Sequence, residues 1–175
     1  MRTSIVVMGV AGCGKSSLGA ALARATGGRL VEGDDFHSDE NRERMRQGIA
    51  LTDADRVHWL DALAAQLRAN RHGAVLTCSA LKAAFRDKLR AASPGLAFVH
   101  LQISPHDALQ RVTSRANGHF FCASLVDRQF ATLEPPFGEP RVLALDALLP
   151  LNESTAQAVR WQVEEIEARQ GSDER

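Results

Sequence analysis

Along this chain, short apolar runs alternate with longer stretches in which apolar residues recur at every third or fourth position. Ile5-Val6-Val7-Met8 is an unbroken run of strand length and reads as a buried strand. From Ser16 to Thr26, Leu18, Leu22 and Ala25 fall on one helical stripe, which Gly27-Gly28 ends. Leu30-Val31 leads a short second strand into Gly33-Asp34-Asp35. A polar helix is predicted from Asp39 to Gln47, closed by Gly48. Thr52 reads as the N-cap of the next helix, with Asp53 and Asp55 in its first turn and Trp59, Leu60, Leu63 and Leu67 as its apolar stripe. Ala74 to Cys78 is the third strand. A helix from about Lys82 to Ala92 follows, stopped by Ser93-Pro94-Gly95. Ala97 to Ile103 is the fourth strand, and Pro105 opens a helix that runs towards Arg115. After the break at Asn117-Gly118, a shorter helix spans roughly Ser124 to Leu133. Val142 to Leu145 is the fifth strand, and a last helix holds Ala158, Trp161, Val163 and Ile166.

Strands that alternate with helices build an α/β fold, a parallel sheet with helices on both faces. Ligands in such sheets bind beyond the carboxyl ends of the strands, which directs attention to the residues after Met8, Val31, Cys78 and Ile103. The length of 175 residues suits one domain, read here as residues 1–168 with a polar tail at 169–175 that frays into solvent. Lys plus Arg and Asp plus Glu balance at 21 each, so the chain has no global field for gripping nucleic acid. The three cysteines, Cys13, Cys78 and Cys122, match no zinc spacing and no disulfide framework, and a reducing, cytoplasmic setting is expected. No stretch is long and apolar enough for a membrane span.

Gly9-Val10-Ala11-Gly12-Cys13-Gly14-Lys15-Ser16 fits the phosphate-binding P-loop at every required position, between a predicted strand and a predicted helix. Its glycines let successive N–H groups turn inward on a phosphate, and the helix that opens at Ser16-Ser17 adds its positive end. Lys15 is placed to neutralise the transferred phosphate, and the Ser16 hydroxyl is a hard ligand for Mg²⁺. Cys13 reads as a small residue filling the loop; a reactive thiolate is the alternative.

Glu32-Gly33-Asp34-Asp35-Phe36-His37 ends the second strand on the ligand side. One of these carboxylates is expected to orient an acceptor hydroxyl and another to hold water on the magnesium. His37 either hydrogen-bonds a polyol or caps the next helix. Lys82 and Arg86 are four apart and share a face if both are helical, a pair suited to a carboxylate; two solvated surface cations are the alternative. Arg111 and Arg115 precede Asn117-Gly118-His119-Phe120-Phe121. That arrangement suggests a closing lid at about 115–124 that carries positive charge over the phosphates, or else an exposed, Arg-rich helix end. On these residues alone, a kinase for shikimate or another small hydroxy acid stays open.

Taken together, the segments resemble the small gluconate kinases. The resemblance rests on Met8 to Ser16, Glu32 to His37, Asn41, Met45, Leu51 to Arg56, Trp59-Leu60, Cys78 to Lys82 and Phe85-Arg86-Asp87. It continues through Leu89-Arg90, Gly118 to Phe121 and Gln129 to Pro135, nearly the whole chain. It implies a P-loop kinase fold with a five-stranded parallel sheet and a short mobile lid. The implied reaction is ATP-dependent, Mg²⁺-assisted phosphorylation of D-gluconate to 6-phosphogluconate by a cytoplasmic homodimer that needs neither nucleic acid nor membrane. Carried over residue by residue, Asp34 orients the hydroxyl, Arg56, Lys82 and Arg86 face the acid, and Gln129 forms part of the pocket wall. The catalytic set is thus Lys15, Asp34 and Arg115, with Arg111 on the nucleotide. The chain departs from the family pattern with Ser38 and His58 at frequent proline positions, and with Cys122 and Ala123 in the lid.

Overall fold

The computed structural model describes residues 3–47, 49–70, 72–115 and 123–173, with the side chains of residues 115, 123 and 166–173 excepted. Five strands, β1 Ile5–Met8, β2 Arg29–Glu32, β3 Ala74–Thr77, β4 Ala97–Gln102 and β5 Val142–Asp146, form one all-parallel sheet in the order β2-β3-β1-β4-β5. Between them run helices α1 Lys15–Thr26, α2 Asp39–Arg46, α3 Asp53–Ala69, α4 Ala83–Ala92, α5 Pro105–Arg115, α6 Ala123–Thr132 and α7 Leu151–Asp173. The last helix therefore includes residues 169–173, which the sequence reading assigned to a polar tail.

The run Ile5 to Met8 is apolar throughout because β1 lies at the centre of the sheet and is covered on both faces. Ile5 and Val7 point to one side, where Leu18 and Leu22 of α1, Ala108 and Val112 of α5, Val126 of α6 and Ala158 of α7 cover them. Val6 and Met8 point to the other, against Trp59, Leu60, Leu63 and Leu67 of α3 and Leu89 of α4. None of the four β1 side chains has measurable exposure.

Local signals set the helix starts. Thr52 and Asp55 form a capping box: the Thr52 hydroxyl accepts from the Asp55 N–H at 3.2 Å, and the Asp55 carboxylate accepts from the Thr52 N–H at 2.7 Å. Ser38, which stands at a frequent proline position, caps α2 by accepting from the Asn41 N–H at 3.1 Å. Pro105 does open α5. The lid expected at 115–124 lies outside the described residues apart from the end of α5 and the start of α6, and so does the Arg115 side chain. Among the described residues, no helix is long and apolar enough to cross a membrane.

Candidate active site

The chain leaves β1 for β2 on one side and later reaches β4 on the other, so the sheet has its switch point at the carboxyl end of β1. The phosphate loop sits there. Gly9, Gly12 and Gly14 all have positive φ (143°, 81° and 99°). At two of them the space is as demanding as the angle: a Cβ on Gly9 would meet the Leu101 carbonyl oxygen at 2.9 Å, and one on Gly12 the Ala108 carbonyl oxygen at 2.7 Å. The Gly9 N–H donates to the Ser79 carbonyl, which ties the loop to the end of β3. Gly9, Val10 and Cys13 form the underside of the loop, whereas Ala11, Gly12, Gly14, Lys15, Ser16 and Ser17 face a cavity of about 530 Å³. The Cys13 thiol is buried and so fills the loop. Lys15 bends back over the loop, its Nζ 3.0 Å from the Val10 carbonyl oxygen and 3.9 Å from Cys13 Sγ.

The same cavity is lined by Asp34, His37, Arg56 and Trp59, by the apolar Met45, Ile49, Ala50 and Leu51, and by Ser79, Val112, Leu125 and Gln129. The acidic turn reaches this position because a single 3₁₀ turn, Gly33–Phe36, follows β2 directly. Only glycine fits at its start: a Cβ on Gly33 would lie 2.2 Å from the Thr77 carbonyl oxygen. Trp59 fixes the turn by donating its indole N–H to the Gly33 carbonyl at 2.7 Å. Its ring stacks on His37 with centroids 4.5 Å apart and planes 11° apart. His37 is buried, and its Nδ1 has no protein partner. Burial pushes its pKa below the usual histidine value; the Asp34 charge opposes the shift, and Arg56 and Arg42 add to it. The imidazole is therefore neutral near pH 7. His37 does not cap α2, whose cap is Ser38, and it lines the cavity.

Glu32, which the sequence reading placed in the acidic turn without a site of its own, joins three elements. Its Oε2 accepts from the Ser16 hydroxyl at 3.1 Å and from the Thr77 hydroxyl at 2.5 Å. Gln129 is a pocket-wall residue as expected. It also accepts the Ala11 N–H through Oε1 at 2.6 Å, which pins α6 to the phosphate loop. Ala108 and Val112 of α5 touch the same loop at Gly12, which places α5, and Arg111 with it, alongside the loop.

Two expectations need correction. Arg86 does not face an acceptor. It is fully buried, its Nε and Nη2 bind the Glu139 carboxylate, and its Nη1 donates to the carbonyls of Ala80 and Leu81 at 2.8 and 3.2 Å. Those contacts hold a strained turn, since Ala80 has φ 45° and no exposure. Lys82 does not share a helix face with Arg86, because it is the extended N-cap residue of α4 (φ −100°, ψ 145°). Its Nζ lies 2.5 Å from Asp53 Oδ2, outside the cavity wall. Cys78 is buried as expected, and burial raises its thiol pKa to about 12.

A family model described as an AAA domain matches residues 5–136. A gluconokinase from Gluconobacter oxydans (strain 621H) is 45% identical over 143 residues, which cover 79% of each chain. This chain belongs to the gluconokinase family. The crystal structure of a gluconokinase from Sinorhizobium meliloti 1021 superposes with a TM-score of 0.90 at 44% identity, covering 98% of this chain and 97% of that one. An unliganded sugar kinase from Janibacter sp. HTCC2649 gives 0.85 at 38% identity, over 92% and 94%. The chain is accordingly a kinase with the α/β fold of its family.

Proposed function

We propose that this protein transfers the terminal phosphoryl group of ATP to D-gluconate, giving ADP and 6-phosphogluconate. The observation that carries the proposal is one cavity lined both by Lys15 and Ser16 of the phosphate loop and by Asp34, His37 and Arg56. Phosphoryl transfer proceeds through a loose transition state, so the protein's work is positioning and charge compensation. Asp34 accepts the hydrogen bond of the acceptor hydroxyl and takes its proton as the new O–P bond forms and the bridge to ADP breaks. Lys15 leaves the Val10 carbonyl to neutralise the transferring group, and Arg111 and Arg115 bring further positive charge to the nucleotide. The buried, neutral His37 binds a hydroxyl of the acceptor, Arg56 faces its carboxylate, and Gln129 closes the wall.

Mg²⁺ fits the oxygens present. The Ser16 hydroxyl and the Glu32 carboxylate are both hard donors that would hold the cation, Ser16 directly. When bound, the cation would supply positive charge to the phosphates. The working form in this reading is a cytoplasmic homodimer, on family resemblance.

A coupled ADP-release assay across sugar acids, shikimate and nucleoside monophosphates tests the proposal. Gluconate is expected to have the highest kcat/KM. A tenfold advantage for shikimate or a monophosphate, about 1.4 kcal/mol of transition-state discrimination, overturns it.

A further inference from the structure

Next to Arg56, which lines the cavity, Asp53 stands between two cations from different elements. Its Oδ2 lies 2.5 Å from Lys82 Nζ on the loop before α4, and its Oδ1 lies 3.4 Å from Arg56 Nη1 on α3. Arg56 lines the cavity, and Lys82 does not. A carboxylate with a cation on either side is the arrangement an acidic acceptor would itself make here, and the protein already supplies the acid. We infer that Asp53 is a specificity-tuning residue: paired with Arg56 and Lys82, it competes with the acceptor's carboxylate for these cations.

Three observations support an exchangeable contact over a fixed structural pair. Asp53 is about half exposed and Lys82 about one third, so neither is locked by packing. The start of α3 does not depend on Asp53, because the capping box is made by Thr52 and Asp55. Lys82 is a point charge on a flexible stem, with its Nζ 5.9 Å from the Phe85 ring centroid, and can re-aim without backbone movement. The contrast with Arg86 is instructive: there the carboxylate partner is part of a buried network and nothing can be exchanged. Two carboxylates on the same pair of cations repel each other. Asp53 therefore weakens acid binding and makes it selective, since an acceptor without a negative charge cannot release Lys82.

The inference rests on an acidic acceptor. Which acid turns over is read from the wild-type enzyme, and the role of Asp53 is read separately from the ratio of variant to wild type with that acid. In Asp53→Asn, KM for gluconate is expected to fall about two- to fivefold, the size of an exposed ion pair, while KM for ATP and the melting temperature stay put. In a Lys82→Gln background the same substitution should lower KM by less, since only the Arg56 contact is then left to release. Asp53→Ser, which suits a first helical turn, carries the same test if the Asn variant folds poorly. A KM for gluconate that is unchanged or raised in Asp53→Asn overturns the inference. So does an equal fall in both backgrounds, since Asp53 would then not act through Lys82.

Discussion

Replacing Glu139 by glutamine keeps its shape and removes its charge, and the expected effect is a loss of stability rather than of acceptor binding. Glu139 accepts from Nε and Nη2 of Arg86 and lies 2.7 Å from Nη2 of Arg90, and these guanidinium hydrogen bonds hold its carboxyl below the usual glutamate range. Arg86 has no exposed surface, so the substitution strands its positive charge. Breaking a buried ion pair typically costs about 3–5 kcal/mol. Glu139 itself retains 20% exposure, and Arg86 keeps the carbonyls of Ala80 and Leu81, so about 2–3 kcal/mol is the reasonable expectation here. In a chain of this size each kcal/mol moves Tm by about 2–4 °C, which gives a fall of about 4–12 °C. The assays are thermal and urea unfolding, with gluconate KM measured well below the transition. A Tm within about 1 °C of wild type would refute the reasoning. So would a large rise in gluconate KM at unchanged stability, which would return Arg86 to the acceptor.

Lys15→Ala is expected to abolish turnover with the fold intact, and a near-normal kcat would remove the phosphate loop from the mechanism. Asp34→Asn should lower kcat by roughly 10²–10⁴ with ATP affinity little changed; if nucleotide binding collapses instead, Asp34 belongs to the magnesium shell. The pH dependence of stability follows from His37 and His100, both buried and both with pKa values below the usual 6.5, chiefly through burial. Below pH 6.5 the unfolded chain binds more protons than the folded one, so stability is full above that pH and declines as pH falls towards the folded-state values. Melting curves from pH 8 to 5 should show this decline, and His100→Asn should flatten it; a flat wild-type profile would contradict the assignment.

The central strand and the phosphate loop were legible because their signals are local. Four consecutive apolar residues admit few interpretations when a P-loop pattern follows them, and Thr52 and Ser38 cap helices with groups three residues away. The failures at Arg86, Glu32 and Gln129 are long-range. Spacing put Lys82 and Arg86 on one face, but spacing cannot tell a solvated face from a buried one, and the partner that buries Arg86 is 53 residues away in the chain. Glu32 looked like one carboxylate among several, because its link to Ser16 needs the end of β2 to meet the start of α1, and its link to Thr77 needs β2 beside β3. Gln129 entered only through family resemblance, and no periodicity reveals that its amide meets Ala11, 118 residues earlier.

That last contact bears on how the protein is made. β1 emerges first from the ribosome, yet its partners are β3 and β4, and the N–H of Ala11 finds its acceptor only on α6. At translation rates of about 5–20 residues per second, about 6–24 seconds pass between synthesis of Ala11 and synthesis of Gln129, 118 residues later. Throughout that interval the most apolar segment of the sheet lacks both edges or one, and the loop lacks a tether. Nucleotide cannot rescue such a chain, because the site that would hold it does not yet exist. Slower synthesis of the stretch between β1 and β4 lengthens the time for which the apolar edges of β1 stay unpaired.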